Sequence, residues 1–134
     1  MAVEHAIRTL LVDDGGVAAL VGSRVFPIQR PQGTALPAIV YQQISGVRNH
    51  NLAGPIGYVE SRFQIVAWSA TLEGARSLSD AVREAVDGYD GTSESVVIDH
   101  IFMLDEGDMP QLAAGNAELE MYGKRIDIEV VFQE

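Results

Sequence analysis

Asp105, Glu106 and Asp108, with Gly107 among them, form the densest group of potential ligands in the chain. Clustered carboxylates suit a hard cation. The EF-hand spacing is missing, however: the place of its distal, loop-closing Glu falls on Asn116. The group therefore reads as a solvated acidic turn. His5, His50 and His100 never stand three or four apart, so the chain encodes no local zinc pair. His100 alternates with Ile98 and Phe102 and reads as a satisfied sheet histidine. His50 lies in the polar run Arg48-Asn49-His50-Asn51, open to solvent and to a partner. Glu60 and Asp127 are conceivable as an acid–base pair, but both fall on exposed strand faces. Trp68, the only tryptophan, stands just before a long helix and reads as a core plug rather than a stacking platform. With no cysteine there is no thiolate metal site, disulfide framework or thiol nucleophile. G-x-S-x-G, H-E-x-x-H and the phosphate loop are absent, and Gly54 and Gly57 lie between strands rather than between a strand and a helix. The expectation is a protein that is not an enzyme and holds neither metal nor cofactor.

The elements that would carry these residues follow from apolar spacing. Val3, Ile7, Leu10 and Leu11 give an amphipathic helix over 2–12. Gly15-Gly16 stops it, and Asp13 and Asp14 serve better as an N-cap for a short helix, Val17 to Val21, closed by Gly22. Arg24 to Pro27 is a short extended piece and 28–37 is loop. Ala38 to Ser45 is a strand, 46–57 a long polar loop, and Tyr58 to Trp68 a cleanly alternating strand; together they suggest an extended hairpin. Leu72, Ala75, Leu78, Val82, Ala85, Val86 and Tyr89 mark the longest helix, capped by Ser69 or Thr71. Val96 to Leu104 is a strand, 105–117 a second long loop, and Tyr122 to Phe132 the last strand. The fold class is α+β: a mainly antiparallel sheet of about four strands, with one long helix and an N-terminal helix packed on one face. The other face is left for solvent or a partner.

A length of 134 residues fits one domain, 1–134, large enough to bury a core unaided. Net charge is −10, which argues against a broad basic face for nucleic acid and against anionic lipid. The charge is uneven. Residues 1–93 hold nine acids and seven arginines, net −2, whereas 94–134 hold ten acids against Lys124 and Arg125, net −8. The last third thus forms either a solvated face or a surface that slides past another polyanion. No apolar run is long enough to span a membrane, and the N-terminus lacks the pattern of a secretion signal.

Several segments, taken in order, resemble a known family. They are Val17-Ala18-Ala19-Leu20-Val21-Gly22, Arg24-Val25-Phe26-Pro27, Pro31-Gln32-Gly33, Leu36-Pro37, Val40-Tyr41-Gln42, Ser45-Gly46, Arg62-Phe63-Gln64-Ile65 and Trp68-Ser69-Ala70-Thr71. The helix with Ala75, Leu78, Ala81, Val82 and Ala85 follows in register, and Tyr122, Arg125 and Asp127 match the family's last strand. The pattern is similar to the small tail-completion and tail-terminator proteins of long-tailed phages and prophages. The resemblance implies a structural virion-assembly protein with no catalytic residues to carry over. It would form a homo-oligomeric, commonly hexameric ring on the head-proximal end of the tail tube. There it would stop tube polymerisation and offer a surface for head–tail joining. Implied partners are other copies of the chain, the tail-tube protein and head–tail connector proteins. DNA would only pass through the lumen without being read, and no membrane is involved. The implied location is the virion neck, with the bacterial host cytoplasm during assembly. Two other readings stand beside it: a head–tail adaptor or neck protein of similar fold, and a small bacterial α+β dimer that binds a ligand between its polar loops.

Two interaction regions are expected. One is the hairpin loop formed by Arg48, Asn49, His50, Asn51 and Leu52. The other is the acidic loop containing Glu106, Asp108 and Met109.

Overall fold

The structure, a computed structural model, describes residues 2–31, 33, 35–52, 54–109 and 121–133. Two helices come first: α1 (Ala2–Asp13) and α2 (Gly15–Val21). Val3, Ile7 and Leu11 recur every fourth residue and are buried together with Ala6. Asp14 separates the helices. Its carboxylate accepts from the Val17 N–H at 3.0 Å, capping α2. The two glycines therefore sit inside the first turn of α2 rather than ending α1. Gly22 takes a positive φ of 60° and donates its N–H to the Ala18 carbonyl, ending α2 as its sequence implies.

The strands are β1 (Val25–Pro27), β2 (Ala38–Asn51), β3 (Gly54–Ser69), β4 (Gly91–Ser93), β5 (Val96–Met109) and β6 (Tyr122–Gln133). Between β3 and β4 lies α3 (Leu72–Val86). Thr71 caps α3 by accepting from the Gly74 N–H at 3.0 Å. The helix stops three residues before Tyr89, because Asp87 is extended and Gly88 has φ 77°. Tyr89 instead lies beside β5, where its carbonyl accepts from the Ile101 N–H.

The sheet has six strands in the order β1-β2-β3-β6-β5-β4. All neighbours are antiparallel except β1, which runs parallel to β2. This corrects the expectation of about four strands, while the longest helix stands where its spacing placed it. The extended piece at Val25 becomes a parallel edge strand, and Gly91–Ser93 adds a short strand against β5. The fold class remains α+β, with three helices.

Two expected loops are largely strand. Residues 46–51 continue β2, 54–57 begin β3, and Asn51 pairs with Gly54, so the long polar loop is the end of a hairpin. Residues 105–109 continue β5 opposite 123–127 of β6, while 110–117 lie outside the described residues. Both stretches lack the apolar alternation of a half-buried strand, because neither lies over the helices.

The helices cover one face of the sheet. Phe63, Ile65, Ile98, Ile101, Ile126, Ile128 and Val130 line that face and meet Ile7, Leu11, Leu78 and Val82, all fully or almost fully buried. The opposite face is open. Its only buried apolar group among the described residues is Val40, Val66 and Trp68, with Leu36, Met109 and Met121 against it. Trp68 thus plugs a second, small core across the sheet from the main one.

Candidate assembly surfaces

Strand pairing lays the open face out in rows. Val40, Val66, Arg125 and Gly107 make one row, and Gln42, Gln64, Asp127 and Asp105 the next. Ser45, Arg62, Glu129 and Phe102 follow, then Val47, Glu60, Val131 and His100. At one end the Trp68 ring lies over Gly123, where a Cβ would come within 2.7 Å of ring carbon. Beside it a groove of about 330 Å³ opens over Val40, Val66 and Trp68, walled by Ile28, Gln29 and Arg30 on one side and Met109 and Met121 on the other. Arg30 Nη2 lies 3.3 Å from the Met121 sulfur across it.

Arg125 organises the middle of this face. Its guanidinium lies over Gly107, 2.8 Å from Asp127 and 3.2 Å from Asp105. The hydrogen bond from Arg125, assisted by the Glu106 backbone, holds the Asp105 carboxyl below its ordinary titration range. Asp108 lies 3.5 Å from Lys124 on the other side of the sheet. Strand alternation thus sends Asp105 to the open face and Glu106 and Asp108 to the helix-facing side. The acidic cluster is therefore not a chelating loop, and no group of three or more ligating side chains comes together among the described residues. On the helix side, burial raises the Tyr41 phenol above its ordinary value.

His100 faces the open side with Phe102, ring centroids 4.3 Å apart. The sequence places both on one side with Ile98. A bulge at Asp99 shifts the register, so Ile98 faces the core and His100 does not. The open face also exposes Val47, Tyr58, Val97 and Phe102, each at least 40% accessible.

The hairpin is the second surface. β6 ends at Gln133 opposite Tyr58, so among the described residues 49–57 extend past the end of β6 as two strands. Leu52 at its turn is fully exposed. A two-stranded ribbon with no third strand is marginal in water, and a fully exposed leucine at its tip adds nothing to the monomer's core. Arg48, Asn49, His50 and Asn51 are in β2 rather than in a loop. The side chains of Asn49, His50 and Asn51 lie outside the described part of the structure.

The two expected interaction regions are not brought together. Arg48 lies level with Phe132 near the end of β6 and Asn49–Leu52 lie beyond it, whereas Glu106, Asp108 and Met109 lie toward the opposite end of β6, level with Ile126, Lys124 and Gly123. The sequence reading missed the groove and the Arg125 cluster. Their signal was Gly107 and Gly123: glycines inside strands often mark the close approach of a large side chain.

The comparisons with known proteins agree with this architecture. No curated protein matches the sequence. Among solved structures, a chain of the "Virion of native gene transfer agent (GTA) particle" is 18% identical, covers 99% of this chain and 96% of its own length, and superposes with a TM-score of 0.80. That likeness shows a shared fold. The family described as "Tail completion protein gp17" matches residues 5–114, most of the length. The chain therefore belongs to the gp17 family of tail completion proteins.

Proposed function

We propose that this chain is a structural, non-enzymatic protein of a tailed-phage virion. It closes the head-proximal end of the tail tube as a ring of six copies, stops tube polymerisation and presents a surface for head–tail joining. The observation that carries this reading is the family match over residues 5–114. The fold shared with a chain of a gene transfer agent virion supports it. So does the surface: an open sheet face with exposed apolar side chains, a two-stranded arm that overhangs the sheet, and different structures on the two edges. A ring needs two unlike, complementary patches on each copy. Its partners are the tube protein, head–tail connectors and other copies of itself. It belongs to the virion neck and assembles in the bacterial host cytoplasm.

DNA passes through the lumen without sequence readout. Asp105, Asp127, Glu129 and Glu60 lie on the open side of the sheet, against Arg62 and Arg125. Within a Debye length of ~8–10 Å, such a face turned inward repels phosphate. The test is to grow purified tail tubes with and without the protein and image them. Tubes that stop at a defined length only when it is present support the reading; unchanged length distributions count against it.

A further inference from the structure

Each edge of the sheet is covered for only half its length. β1 covers β2 from Ile39 to Tyr41, and the Ile28 N–H donates to the Tyr41 carbonyl. From Gln43 to Asn51 the outer side of β2 has no strand neighbour among the described residues. On the other side, β4 covers β5 from Val96 to Ile98, and Gly88 and Tyr89 take the backbone groups of Ile101. From Phe102 to Met109 the outer side of β5 likewise has no strand neighbour among the described residues.

The uncovered runs are nine and eight residues long, longer than the usual strand of about 5–6. Bare edges are templates for pairing, and proteins that stay monomeric blunt them with proline, lysine and other charges, or bulges. Neither run contains proline or lysine; each is bulged, β2 between Gln43 and Ser45 and between Arg48 and His50, β5 between Met103 and Asp105, so a neighbouring strand must follow those bends. Both carry exposed apolar side chains instead: Ile44 and Val47 on β2, Phe102 and Leu104 on β5. The two runs also match in direction. β2 and β5 are separated by three antiparallel steps, β2 to β3, β3 to β6 and β6 to β5, so they point opposite ways. Two copies set side by side in the same orientation therefore bring β5 of one against β2 of the next antiparallel, the favoured pairing. Charge selects the same partner. The β5 run holds Asp105, Glu106 and Asp108, of which Asp105 is paired with Arg125 and Asp108 with Lys124, while the β2 run holds no acid. Pairing two β5 edges would set carboxylates against carboxylates, which disfavours a symmetric dimer.

We propose that copies of this chain join head to tail, with Phe102–Met109 of one copy pairing antiparallel with Gln43–Asn51 of the next, so that the sheet continues from copy to copy. This rests on the ring reading and names the contact that builds it.

The lack of native cysteine makes the test clean. Ser45→Cys and Val47→Cys on β2 are mixed in turn with Phe102→Cys and Asp105→Cys on β5, all open-face positions. Each mixture is oxidised in solution and on tail tubes, then run on non-reducing gels. At least one β2–β5 mixture gives a dimer band well above any single variant alone. The corresponding double variant gives a covalent species with the copy number that native mass spectrometry finds for the unmodified protein. The proposal is overturned if no mixture cross-links in either setting, or if like-with-like bands dominate. Tube length is scored on the same samples. Cross-linking without a change in length would sink the capping role and leave the edge contact standing; a change in length without cross-linking would do the reverse.

Discussion

Replacing Gly123 with alanine tests the small core on the open face. Trp68 lies so close that a Cβ at 123 would come to 2.7, 2.9 and 3.0 Å from three of its ring carbons. Unstrained carbon pairs sit about 3.5–4.0 Å apart. Val40 and Val66 pack on the ring, with Met109 and Met121 beside the group, so it can yield only toward the groove that opens there. Gly123 has no positive φ, so in open space alanine would be worth about 0.5–1 kcal/mol over glycine in a strand. Forcing an extra carbon into a filled site costs about 1–3 kcal/mol. The clash outweighs the backbone gain, and Gly123→Ala should destabilise the protein by about 1–2 kcal/mol. With a urea slope of about 1–3 kcal/mol per molar, the midpoint falls by roughly 0.5–1 M. Circular dichroism reads the transition, and emission from the only tryptophan reads the displaced ring. All variants are compared at one protein concentration, since self-association raises apparent stability. In a Trp68→Ala background the same substitution should change sign and stabilise by about 0.5–1 kcal/mol. If Gly123→Ala alone is as stable as the parent with unchanged emission, Trp68 does not pack closely on Gly123.

Asp14→Ala and Thr71→Ala each remove a cap and should lower stability by about 1 kcal/mol in denaturant titrations. Leu52→Ser should leave the stability of the isolated chain within about 0.5 kcal/mol, because Leu52 is fully exposed, yet weaken tube capping, read as longer tubes in the electron microscope. Asp105 should titrate below the ordinary carboxylate value of 3.8 in carbon-detected NMR, and Arg125→Leu should return it toward that value. Because its folded-state pKa is depressed, its stabilising contribution is present above the unfolded-state pKa and is lost as pH falls through the folded one. DNA binding measured across a salt series should stay weak at moderate salt; micromolar affinity there would refute the non-retaining lumen.

The helices and the inner strands were legible because they face a single core. Val3, Ile7 and Leu11 repeat every four residues, and Phe63, Ile65 and Ala67 alternate, because one side of each element meets apolar neighbours. Capping by Asp14 and Thr71 was legible too, since a short polar side chain before an apolar run has few other uses. The hairpin end and the distal half of β5 were not. Arg48 and Glu106 are in stretches of strand that the helices do not cover, so the side chains there carry no apolar period. The bulge at Asp99 is invisible in composition, yet it moves His100 to the opposite side from Ile98. The short edge strands β1 and β4 fell below the length at which alternation registers. The groove beside Trp68 draws on β2, β3, β5 and the residues after β1, and one-dimensional spacing cannot report that convergence.

The placement of β1 and β4 at opposite corners has a geometric consequence for any closed ring built through those edges. The centre of the bare β2 run, Val47, is level with Val131 of β6, and Asp105 of the bare β5 run is level with Asp127. Neighbouring copies would therefore be displaced along the strands by about 14 Å, at ~3.4 Å per residue. The β2, β3, β6 and β5 strands of one copy span about 19 Å across, at ~4.8 Å each. A closed sheet absorbs such a displacement as strand tilt, here roughly 35°, at the lower end of the 35–45° of closed β-barrels. Six copies would make a barrel of 24 strands about 44 Å across between backbones, beyond the size at which barrels begin to leave an open aqueous channel. The helices would stand on its outside and the carboxylates of the open face would line its bore. The two shortest strands in the chain would thus set the shear, and with it the width, of the passage.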